Sequence, residues 1–208
     1  KELPTAEAMD FIKQRIAEIG EFLDVGKGFE GFRYVDDEDW ANNWKKYYEE
    51  FRLSDRIVIC PSWIEEGDAE LEKGAIKVIL DPGSAFGTGT HETTRLCLET
   101  LENYIKPGVT VLDIGCGSGI LAIASLLLGA EKAVGVDIDA LAVKTAKENG
   151  KTNGFEEPRF TVLQGSTTDK VTGKFDIIAA NIVADIIIRM APDVGTYIAD
   201  NGILLVSG

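Results

Sequence analysis

The sequence predicts an α/β protein whose larger part is a parallel sheet covered by helices on both faces, preceded by a smaller, partial α+β segment. Three observations carry this reading. Beyond residue 110, short apolar runs alternate with helical ones: TVLDI (110–114), GILAIASLLLG (119–129), KAVGVDI (132–138), ALAVKTAKENG (140–150), RFTVLQG (159–165), FDIIAANI (175–182) and ILLVSG (203–208). The strands among them are apolar nearly throughout, as strands buried on both faces must be. Residues 1–60 read helix, strand, helix, strand and are set apart from the later pattern by a polar connector.

In chain order, Ala8, Phe11, Ile12, Ile16 and Ile19 recur at helical spacing within 5–19, with Thr5 as N-cap and Gly20 as stop. FRYV (32–35) reads as a short strand. DDEDWANNWKKYYEEF (36–51) then has the acidic start and basic middle that suit a helix dipole, and its Trp40, Trp44, Tyr47, Tyr48 and Phe51 fall at helical intervals suited to core packing. RIVIC (56–60) reads as a strand and PSWIEEGDAELEKG (61–74) as a polar connector. The expected organisation is therefore a domain over 1–60, a linker over 61–75 and a second domain over 76–208.

Composition limits the function classes. Of 208 residues 45% are hydrophobic, enough to bury a core, and the net charge of −14 repels phosphate backbones, which argues against direct nucleic-acid binding and favours a basic partner. The longest mainly apolar run, ILAIASLLLGA (120–130), is about half of the ~20 residues that a membrane span needs. A soluble, cytoplasmic protein with no membrane partner is expected. Cys60, Cys97 and Cys116 form no CxxC pair, so neither a disulfide framework nor a metal site is indicated.

The chemistry concentrates in four stretches. In VLDIGCGSGILAIA (111–124) a buried strand runs into Gly115, Gly117 and Gly119, which let the backbone turn tightly and approach a ligand before a helix starts. A dinucleotide fingerprint would need glycine at 120, where Ile120 stands; the GxGxG pattern favours an adenosyl ligand without a pyrophosphate, such as S-adenosylmethionine, over NAD. Asp137, 22 positions beyond Gly115, closes the next strand, where a carboxylate accepts hydrogen bonds from ribose hydroxyls. Its other reading is a helix N-cap, a role Asp139 fills equally well. Asp113 either faces the ligand or caps the loop, and ranks behind the other candidates. Asn181, at the end of the strand FDIIAAN, offers a carboxamide that accepts from an incoming amine or bonds the methionine part of the cofactor. The fourth stretch, DPGSAFGTGTHETT (81–94), is glycine- and hydroxyl-rich and holds the only histidine, His91, which serves as a general base or as a cap.

Taken together, EDWANNWKKYY, PSW, DPGSAFGTGTHETTRLCLETLE, LDIGCGSGILAIA, VGVDID and NIVAD resemble the PrmA family, over roughly residues 36–208. The glycine turn is shared by methyltransferases at large, whereas the GTGTH segment and the EDWANNW helix are specific to that family. The resemblance implies a Rossmann-like class I methyltransferase fold. It also implies transfer of methyl groups from S-adenosylmethionine to lysine and N-terminal amines of a basic protein of the large ribosomal subunit, the eleventh in its naming series. It further implies that Thr94, Gly115, Asp137 and Asn181 hold the cofactor, with Phe86 in a loop that closes over it; Gly117 and Asp113 join the candidates from the glycine turn itself. Asn181 would orient the amine. The family usually carries a bulkier apolar residue where Ser84 stands, and against its pattern a first strand and helix of the small N-terminal substrate-recognition domain and the last two strands of the sheet are missing here. Rival readings are a glutamine or small-amine N-methyltransferase, disfavoured because those relatives more often have Asn-Pro-Pro-aromatic where Asn181-Ile182-Val183-Ala184 stands, a non-catalytic ribosome-binding module, and a NAD-dependent oxidoreductase.

Overall fold

A computed structural model describes residues 6–30, 49–64, 73–81, 89–166 and 170–208. The chain divides into two compact units, Lys1–Asn42 and Asn43–Gly208. In the first, helix α1 (Ala6–Gly20) forms where the apolar spacing places it. None of its residues is buried, and Phe11 and Ile19 stay 63% and 49% exposed. The strand expected at 32–35 and nearly all of the helix expected at 36–51 lie outside the described residues; Phe51, expected to end that helix, instead opens a strand.

Among the described residues, the second unit contains two sheets. Strands β1 (Phe51–Arg52), β2 (Ile57–Pro61) and β3 (Ile76–Leu80) form the smaller one, β1 antiparallel and β3 parallel to β2. The boundary expected at 61–75 thus falls between two paired strands, and the units divide at Asn42 and Asn43 instead. The polar run 61–74 looks like an interdomain linker, but a parallel pair also needs a long crossover, and the apolar core Ile57, Ile59, Val78 and Leu80 packs continuously with the helices that follow.

The larger sheet contains β4 (Thr110–Ile114), β5 (Lys132–Asp137), β6 (Phe160–Gln164), β7 (Phe175–Asn181) and β8 (Ile198–Ser207), in the order β6-β5-β4-β7-β8 and parallel throughout. Side chains from alternate positions of each strand enter different cores. Val111 and Ile177 face helices α2 (Glu92–Tyr104), α3 (Ile120–Leu127) and α4 (Ala140–Thr152), while Leu112 and Ile178 face Met190 and Val194 of α5 (Ala184–Val194). This is the doubly wound, Rossmann-like arrangement, and the direction of winding reverses between β4 and β7. The carboxyl ends of those two strands therefore border the crevice in which such sheets bind ligands.

Besides β1, two elements escape the sequence reading: β3, a short run interrupted by Lys77, and α5, in which Pro192 masks the helical spacing. Strand β8 also begins earlier than the expected 203: Ile198 already pairs with Phe175, and the register then shifts so that Ile203 faces Ile177, with Asn201 in the left-handed conformation (φ 62°) inside that irregularity.

Candidate functional site at the sheet switch point

The glycine turn follows β4 directly. Gly115, Gly117 and Gly119 all have positive φ (69°, 52° and 81°), a region open to glycine at no steric cost. A side chain at Gly115 would run into Ile182. The turn is tied to β5: the amides of Gly115 and Cys116 donate to the Val136 carbonyl at 2.8 and 3.1 Å. The Gly117 amide donates to Asp137 Oδ2 at 2.9 Å. The other oxygen of Asp137 accepts from the Asp139 amide at 3.0 Å, so two backbone amides fix its carboxylate. Asp139 is the N-cap of α4, accepting from the Leu141 amide at 2.9 Å, which settles the alternative open for Asp137 in favour of a carboxylate turned to the turn.

Asp113 is only 1% exposed, and its Oδ2 accepts from the Ala122 amide at 3.2 Å. Helix α3 has Gly119 at its N-cap position and no side-chain cap of its own, so the carboxylate of the preceding strand supplies what the glycine cannot. Burial, reinforced by the Asp137 charge and opposed by the Ala122 amide, pushes its pKa up to about 7. At the end of β7, Asn181 Nδ2 donates to the Thr94 hydroxyl at 3.2 Å, and Thr94 is itself 1% exposed. The carboxamide oxygen of Asn181 remains as an acceptor at the crevice. His91 caps α2: its Nδ1 accepts from the Thr93 amide at 3.3 Å and lies 2.7 Å from the Thr93 hydroxyl.

Of these groups, His91, Gly115, Gly117, Asp137 and Asn181 border one cavity of about 560 Å³, which Thr93 also lines and Ile138, Ile182, Val183 and Ile186 wall. Carboxylate and carboxamide stand at the ends of strands on opposite sides of the glycine turn, with apolar side chains between them.

The family model for ribosomal protein L11 methyltransferase (PrmA) matches residues 4–208. The chain belongs to the PrmA family. A ribosomal protein L11 methyltransferase of Caldanaerobacter subterraneus subsp. tengcongensis is 47% identical over 203 residues, 97% of this chain and 64% of that protein. One of Clostridium botulinum is 48% identical over 197 residues, 94% of this chain and 61% of its own length. The chain thus spans less than two thirds of the curated PrmA relatives it matches. The crystal structure of a ribosomal protein L11 methylase from Lactobacillus delbrueckii subsp. bulgaricus matches with a TM-score of 0.70 at 35% identity, covering 77% of this chain and 80% of that one.

Within this PrmA fold, the residues singled out from sequence separate into two groups. Gly115, Gly117, Asp137 and Asn181 line the cavity. Thr94 is buried behind Asn181 and reaches the cavity only through it, while its neighbour Thr93 lines the wall. Of the two readings open for Asp113, the cap is the one its bond supports: the strand's alternation points it beneath the turn and onto the Ala122 amide, away from the cavity lining. His91 is at the cavity, and its Nδ1 is engaged as the cap of α2, accepting from the Thr93 amide. Phe86 and Ser84 lie outside the described residues. Sequence reading missed the aliphatic wall of Ile138, Ile182, Val183 and Ile186; its signal was the unusual exposure implied by apolar residues placed just past strand ends, where Ile138 and Val183 are 72% and 64% exposed.

Proposed function

We propose that the chain is the catalytic part of a protein N-methyltransferase that takes methyl groups from S-adenosylmethionine to lysine or N-terminal amines of ribosomal protein L11, in the cytoplasm. The observation that carries this reading is the pairing of Asp137 and Asn181 across the glycine turn at the switch point of the sheet, in a chain that matches the PrmA family model along nearly its whole length. The cavity fits an adenosyl group. Glycines let the backbone approach where a Cβ at 115 would strike Ile182, and each Asp137 oxygen, already holding one amide, keeps a lone pair for a ribose hydroxyl.

Bound S-adenosylmethionine would supply an electrophilic methyl group on a sulfonium. The protein's part is to bind, orient and exclude water. Asp137, Gly115 and Gly117 hold the adenosyl end. The Thr94 hydroxyl fixes the Asn181 carboxamide so that its oxygen accepts an N–H of the incoming amine and turns the nitrogen lone pair toward the methyl group. A lysine amine, with a pKa near ~10.4 in water, must arrive neutral, and the aliphatic wall disfavours its charged form. A surface of net charge −14 supports a basic protein substrate.

Calorimetric titration with S-adenosylmethionine, followed by mass spectrometry of L11 incubated with chain and cofactor, tests this. Binding with added mass in multiples of one methyl group is the expected result. Binding without transfer to L11, but with transfer to a free glutamine or small amine, would replace the substrate, and absence of binding by the folded chain would favour a non-catalytic module.

A further inference from the structure

The glycine turn is held on one side by β5, through Val136 and Asp137. On its other side a different residue is at work. Asn149 of α4 is 2% exposed, and its Nδ2 donates to the Ser118 carbonyl at 2.9 Å. Its Oδ1 accepts from the Asp81 amide, just past the end of β3, also at 2.9 Å. One amide thus bridges the ligand-facing turn of the large sheet and the strand end of the small one. The partners fix its orientation, the oxygen on an N–H and the nitrogen on a carbonyl. Helix α4 lies directly against the turn, since a Cβ at Gly119 would meet that of Ala146, one helical turn before Asn149, at 3.1 Å.

Asn153, four residues on, makes the comparison possible. It clamps β3 in the same manner, accepting from the Ile79 amide at 2.9 Å and donating to the Ile79 carbonyl at 2.6 Å, but it has no bond to the turn. Both asparagines fasten β3 to α4, and only Asn149 continues to Ser118.

We infer that Asn149 is a positioning residue for the cofactor-binding turn, setting the shape of residues 115–119 from the end of β3. This rests on the S-adenosylmethionine reading of the cavity for its functional consequence, but not for its structural one. A buried carbonyl that loses its side-chain donor pulls the turn toward other partners, and the amide of Gly117 moves with it relative to Asp137.

The test compares Asn149→Ala with Asn153→Ala in the full chain by hydrogen exchange of the peptide spanning 115–122 without ligand, and by calorimetric titration with S-adenosylmethionine. Both variants should loosen β3. Only Asn149→Ala should speed exchange in 115–122 and weaken cofactor binding, by roughly tenfold, a size in keeping with one buried hydrogen bond. If Asn149→Ala does not fold, Asn149→Ser, too short to span both partners, carries the same comparison. Equal effects of the 149 and 153 variants on the turn would overturn the inference, whatever the cofactor does. Faster exchange confined to the 149 variant, together with no binding by the parent chain, would uphold the positioning role and reject the cofactor reading.

Discussion

Two aspartates stand near the ends of adjacent parallel strands and do opposite work. Asp113, paired in register with Gly135 of β5, lies beneath the glycine turn with a single amide on its carboxylate and almost no exposure. Asp137, two residues beyond that register position, lines the cavity with an amide on each oxygen. The same side chain, shifted by two positions at neighbouring strand ends, becomes a helix cap in one place and a cavity-lining acceptor in the other. Sequence motif alone treats both as acids beside a glycine turn; the difference comes from how many amides reach each carboxylate and whether water does.

The sharpest way to break that contrast is to remove Asp137. Asp137→Ala should weaken S-adenosylmethionine binding by roughly a hundredfold, the order expected for losing hydrogen bonds to a charged acceptor, while the chain still unfolds cooperatively. Calorimetric titration beside a urea unfolding curve reads both. Unchanged affinity would remove the ribose assignment and leave Asp137 as a second structural carboxylate.

Asp113 offers the complementary test, read in stability rather than affinity. Its folded-state pKa of about 7 lies above the ordinary 3.8. The folded chain therefore holds a proton that the unfolded chain releases between these values, and stability present below pH 3.8 is lost as pH rises toward about 7. Asp113→Asn keeps an oxygen for the Ala122 amide and cannot ionise. From pH 5 to pH 8 the variant should gain on the parent by on the order of 2 kcal/mol in urea unfolding. A difference that does not change with pH would mean that Asp113 titrates as an ordinary surface acid, and the contrast with Asp137 would collapse.

How much of this was legible follows from the same physics. Strand β4 falls at the predicted 110–114 and α4 starts at the predicted Ala140, because doubly buried strands are apolar without interruption and Asp139 marks the helix start. Gly115 and Asp137 are legible because a turn with positive φ and a strand-terminal acid are local features. The bond between Thr94 and Asn181 spans 87 positions, and that between Asn149 and Asp81 spans 68; nothing local announces either. Asp113 was open for a related reason: whether a strand-end acid meets the cavity or a helix amide depends on how the turn and α3 fold back over that face of the sheet, which the sequence does not display.

His91 extends the comparison to a group that belongs to both classes, lining the cavity while capping α2. A side chain whose acceptor nitrogen is committed to the Thr93 amide cannot also take a proton from substrate through that nitrogen. Loss of the cap in His91→Ala should cost about 1 kcal/mol of stability, as for other N-caps, and His91→Ser should restore most of it, since a serine hydroxyl accepts from the same amide. Methyl transfer by His91→Ser should remain within about threefold of the parent, corresponding to well under 1 kcal/mol in the barrier. The informative failure is a serine variant that recovers stability yet loses transfer by more than tenfold with unchanged cofactor affinity. That outcome would separate the cap from the chemistry, assign proton removal to the imidazole, and place His91 beside Asp137 rather than beside Asp113.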